Sequence, residues 1–108
     1  MSHIAHRFVL IQPEHTELDF QNRNKAFTLE EMQKAVGGYI EAIPMRLVSK
    51  QAARRIIAIS EMLHTESFYV FANEEGIRMQ QEHNQLASDL LGVDLLGPIL
   101  VCSSELVE

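Results

Sequence analysis

The tetrapeptide Asn73-Glu74-Glu75-Gly76 constrains this chain more than any other stretch. It follows Phe68 to Ala72, an aromatic and β-branched run that reads as a strand. An asparagine opening a turn can bond its own backbone two residues on, and a glycine closing it tolerates positive φ. The segment therefore predicts a hairpin, with Ile77 to Met79 as the returning strand. A hairpin forces at least one antiparallel pair, so a purely parallel sheet is excluded.

The remaining segments alternate between strand and helix signals. Phe8-Val9-Leu10-Ile11 reads as a first strand stopped by Pro13. Thr16, Leu18 and Phe20 alternate with charged neighbours and predict a short second strand, with Gln21 to Lys25 as a polar turn. Thr28-Leu29-Glu30-Glu31 is a capping box, in which the Thr28 hydroxyl and the Glu31 carboxylate each satisfy the other residue's amide. Leu29, Met32 and Val36 give the helix one apolar face, and Gly37-Gly38 ends it. Tyr39 to Met45 is extended, with Ile40 on one side and Tyr39, Glu41 and Ile43 on the other; Pro44 marks an edge or a strand end.

From Ser49, a suitable N-cap, the period becomes helical again, with Ala52, Ile56, Ile59 and Leu63 on one stripe. Asn84 caps a last helix that carries Leu86, Ala87, Leu90 and Leu91 and closes at Gly92. Gly97-Pro98 introduces a final strand, Ile99 to Cys102. Interleaved elements with an obligatory hairpin give an α+β fold. We expect a two-layer sandwich whose small, mixed or mostly antiparallel sheet has about four to six strands, with about three helices.

At 108 residues the chain fits one domain, with a basic helix inserted at about residues 46–67. Its single cysteine, Cys102, rules out an internal disulfide and sits in an apolar run as a small hydrophobe. No secretory pattern or membrane-length apolar run is seen, so a cytoplasmic protein without a membrane role is expected. A net charge of -6 disfavours general nucleic-acid binding. The average hides an asymmetry: Arg46, Lys50, Arg54 and Arg55 against Glu61 give residues 46–64 a charge of +3, leaving -6 - 3 = -9 on the rest.

Three patches occur in order: Val36-Gly37-Gly38-Tyr39-Ile40-Glu41, Asn73-Glu74-Glu75-Gly76 and Leu96-Gly97-Pro98-Ile99-Leu100-Val101. Together with Asn84 and Ala87, they resemble the phage- and plasmid-associated family catalogued as domain of unknown function 3846. The resemblance runs from Leu29 to Val101 but departs at the basic helix, because in that family the two flanking strands are nearly contiguous. It implies a mobile-element setting in a bacterial host cell, where small proteins inhibit or sequester host components. It supplies no activity.

No nucleophile elbow, phosphate loop, zinc-protease or paired-cysteine motif occurs. His3, His6, His15, His64 and His83 are scattered, so neither metal nor cofactor is expected. Gly37, Gly38, Asn73, Gly76, Gly97 and Pro98 are explained as turns and helix stops. The ligand-binding candidates are Arg46, Lys50, Arg54 and Arg55, which suit a phosphate or an acidic group, with Tyr39 for stacking and Glu41 for accepting hydrogen bonds.

These residues lead to a non-enzymatic binding protein that captures a small phosphorylated, nucleotide-like ligand or binds and blocks an acidic host protein, with the inserted basic helix supplying the contacts. Two alternatives remain open. One is a small hydrolase with Glu41 or Glu75 as base. The other is a homo-oligomer joined through Leu90, Leu91, Leu95 and Leu96.

Overall fold

The computed structural model describes residues 4–45 and 50–108. Arg46, the first basic candidate, and Ser49, the expected helix cap, lie outside the described residues. The elements run β1 (His6–Ile11), β2 (Gln21–Arg23), α1 (Leu29–Val36), β3 (Ile40–Ala42), α2 (Lys50–Leu63), β4 (Phe68–Asn73), α3 (Gln85–Leu91) and β5 (Ile99–Ser103), closed by a 3₁₀ turn at Ser104–Leu106. The strands form one sheet in the order β2-β1-β5-β4-β3, and every pairing is antiparallel. With three helices against it, this is the α+β sandwich expected from the sequence.

β5 occupies the centre, which explains why its sequence is apolar without interruption. Ile99 and Val101 face α2 and α3, joining Val9, Ile11, Val70, Ala72, Ile59, Leu63 and Leu91 in the main core. Leu100 and Cys102 point the other way, where Met32 and Val36 of α1, Phe27 and Leu106 form a smaller cluster. All five β5 residues are buried. Burial pushes the Cys102 thiol up to about 12, leaving it protonated and inert as expected.

Several sequence signals act as written. Thr28 and Glu31 make the reciprocal capping box, and Gly37 ends α1 at φ 81°. The stripe on α2 does enter the core, at Ile59 and Leu63, so the basic helix is structurally integral. β3 is an edge strand ending before Pro44.

Three expectations need correction. The second strand is not Thr16–Phe20 but the polar segment Gln21–Arg23, which pairs with His6 to Phe8. An edge strand with exposed side chains has no apolar alternation to reveal it. Leu18 and Phe20 pack on the main core from irregular chain. Next, Ile77 to Met79 is not a strand. Residues 74–80 are turns, and Ile77 is 84% exposed. The antiparallel partners of β4 are instead β3 and β5. Finally, the leucines proposed for oligomerisation do not form one exposed face. Leu91 and Leu95 are buried in the main core and Leu90 packs against it, leaving Leu96, itself half-buried, outside that core.

Candidate functional site

The turn at Asn73 forms, although no strand returns from it. Its Oδ1 accepts from the Glu75 amide at 2.8 Å, the Asx bond expected of this residue, and its C=O accepts from Gly76 at 3.2 Å. Gly76 lacks the positive φ predicted for it. What it supplies is space: a Cβ there would stand 3.1 Å from Gln81 Oε1.

Gln81 is the residue that sequence reasoning missed. Its side chain lies against Gly37, Gly76 and Gly97, where added Cβ atoms would meet it at 3.6, 3.1 and 2.2 Å. Gly38 in turn packs on the Asn73 amide. The glycine patches that are far apart in sequence thus converge on two amide side chains. Both donate towards Val36 C=O at the end of α1, from Asn73 at 3.4 Å and from Gln81 at 3.5 Å. Gln81 Oε1 is buried and has no hydrogen-bond partner among the described residues.

Beside this junction a groove of about 640 Å³ opens between β3, the 74–78 turn and residues 94–96. Its floor is apolar, with Ile43, Ala72, Leu95 and Leu96, and the largely exposed Ile77 also lines it. Among the described residues its rim carries four carboxylates, from Glu41, Glu74, Glu75 and Asp94, against one guanidinium, Arg78. Arg78 is committed to Glu75, at 3.1 Å. The resulting field favours cations.

Of the five binding candidates among the described residues, only Glu41 lines this groove. Tyr39 lies just before β3 and is 66% exposed. Lys50 and Arg54 are exposed on α2, one helical turn apart, and neither forms an ion pair among the described residues. Arg55 is used within the domain: it lies over Gly92, where a Cβ would come within 2.6 Å of its Nε. Its charge thereby meets the C-terminal end of α3, where the backbone carbonyls favour a cation.

Glu41 and Glu75, the hydrolase candidates, both line the groove, and no serine, cysteine or histidine among the described residues joins them there. A serine, a histidine and an aspartate do gather nearby, but in the wrong arrangement for nucleophilic catalysis. Ser88 Oγ and Asp94 Oδ1 approach the same ring nitrogen of His83, Nε2, at 3.3 and 3.7 Å. A relay needs one partner on each nitrogen. Ser88 Oγ is also buried and accepts from Leu95 N at 2.9 Å.

Compared with protein-family models, curated proteins and solved structures, the chain matches none. Among the described residues no helix is long and apolar enough to cross a membrane, and no group of three or more metal-ligating side chains is assembled.

Proposed function

We propose that this is a non-enzymatic binding protein of phage or mobile-element origin that acts in the host cytoplasm by occupying a host protein, and that the groove beside β3 is its contact surface. The observation that carries this reading is the groove itself: an apolar floor with an acidic rim, in the size range of recognition sites, lined by no nucleophile among the described residues. The resemblance to the mobile-element family supports the setting.

Crosslinking in host lysate tests the reading. The double variant Glu41→Lys with Glu74→Lys reverses the rim while leaving the floor intact, and both residues are exposed. The captured protein should disappear with that variant and persist with Arg54→Glu. The opposite pattern would move the contact to α2. A second reading is capture of a nucleotide-like anion by Lys50 and Arg54, favoured by their exposure and by their lack of ion pairs among the described residues. It predicts a thermal shift by the anion that Arg54→Glu abolishes.

A further inference from the structure

β3 is the last strand of the sheet, and its ladder fixes which main-chain groups are used. Ile43 N–H donates to Val70 C=O at 2.8 Å, and Glu74 N–H donates to Tyr39 C=O at 2.9 Å. In an antiparallel pair the hydrogen-bonded positions alternate. Tyr39, Glu41 and Ile43 therefore turn their main-chain groups towards β4, while Ile40 and Ala42 turn theirs away from the sheet. No strand among the described residues receives them. The next outward position is Pro44, which has no N–H, so the free edge is short and bounded.

Side-chain alternation adds a second constraint. Glu41 and Ile43 line the groove, whereas Ile40 packs with α1 on the opposite face. A strand laid along β3 would hold alternate side chains over the groove mouth, where the rim is acidic and the floor apolar. A second copy of this chain would bring the same carboxylates together, and the Coulomb term opposes that pairing.

We infer that β3 receives an extended, basic segment of the partner as an added strand, bonded through the main chain of Ile40 and Ala42, with its lysine or arginine side chains over the groove. This rests on the groove being the contact surface. Main-chain bonds supply affinity without sequence preference, and the alternating pockets supply selectivity.

The test uses isotope-labelled protein and four synthetic peptides: alternating lysine and valine, alternating glutamate and valine, and two forms of the lysine peptide N-methylated at every second residue, one in each register. The lysine peptide should bind, protect the Ile40 and Ala42 amides from hydrogen exchange, and weaken as salt is added. The glutamate peptide should not bind. N-methylation should weaken binding by about tenfold or more in one register and little in the other, because only every second residue of an added strand turns its N–H towards β3.

Binding that leaves those two amides unprotected and ignores N-methylation would overturn strand addition while leaving the groove reading intact. Binding of no peptide would also overturn it, and the groove would then stand or fall on the lysate crosslinking alone. Protection of the same amides without peptide, rising with protein concentration, would make a second copy the occupant and overturn the inference.

Discussion

At Asn84 every polar atom of a buried side chain is engaged, whereas at the β3 edge polar groups are left facing outward. Asn84 is 0% exposed; its Nδ2 donates to Ile11 C=O at 2.8 Å and Gly97 C=O at 2.9 Å, and its Oδ1 accepts from Ala87 N at 3.1 Å. One residue thus caps α3, ends β1 and fixes the approach to β5. About forty residues earlier in the chain, β3 pairs on one side only and carries Glu41, a carboxylate that makes no ion pair among the described residues. The contrast separates polar residues that build the domain from those that have capacity for something else. Saturated hydrogen bonding marks the first kind.

The most damaging way to probe this contrast is Asn84→Ala. It strands two carbonyls and one amide in the interior, and each orphaned group costs about 1–3 kcal/mol, so a total loss of about 3–5 kcal/mol is expected. Against a stability of about 5–15 kcal/mol, urea denaturation should show a large drop in midpoint. Asn73→Ala should cost less, about 1–2 kcal/mol, since only its Asx bond is short. Equal losses at the two asparagines would remove the distinction between a saturated and a partly used polar residue.

Glycines at the Gln81 junction give a smaller and more pointed effect. Gly97 has φ 70°, and a Cβ there would stand 2.2 Å from Gln81 Oε1. Gly97→Ala should cost about 1–3 kcal/mol, chiefly from the left-handed backbone, because the amide tip can move. Gly76→Ala, without positive φ, should cost about 0.5–1 kcal/mol. Thermal melts of the two variants would expose a wrong assignment if Gly76→Ala proved the worse.

Which parts of this were legible in the sequence follows from how far each signal reaches. Thr28, Glu31, Gly37 and Asn84 act within one turn of chain, and their spacing alone predicts what they do. β5 was visible because burial on both faces leaves a continuous apolar run. β2 was hidden because its pairing comes entirely from β1 and its own side chains are polar. The Asn73 turn was read correctly as a turn and wrongly as a hairpin, since local chemistry fixes how a strand ends but not what the chain does next. Gln81 and the groove depend on residues 37 to 97 meeting in space, and no local pattern encodes that.

A mild pH effect belongs to the saturated part of the molecule. The Thr28 amide and the Arg23 guanidinium, at 3.0 and 2.8 Å, hold the Glu31 carboxyl below its ordinary value. A depressed folded value means stability that is complete above the ordinary carboxylate range, near about 4.3, and is lost as pH falls through the lower folded value. Glu31→Gln should therefore melt below the native protein at neutral pH, with the gap closing in acid. A gap that persisted in acid would mean the ion pair with Arg23 is not its source.

The smallest expected change in stability comes from the groove rim, and there a near-zero result carries the most meaning. Glu41 and Glu74 are exposed and make no ion pair among the described residues. Surface charges of this kind stay within about 0.5 kcal/mol on substitution. Reversal to lysine should leave the urea midpoint almost unchanged and slightly raise stability if anything, because it relieves repulsion among the rim carboxylates. Had the domain used these charges to hold itself together, reversal would cost it as Asn84→Ala does. Unchanged folding together with lost partner capture is the combination that assigns the rim to recognition. A destabilised double variant would place Glu41 and Glu74 with Asn84 among the residues that build the domain.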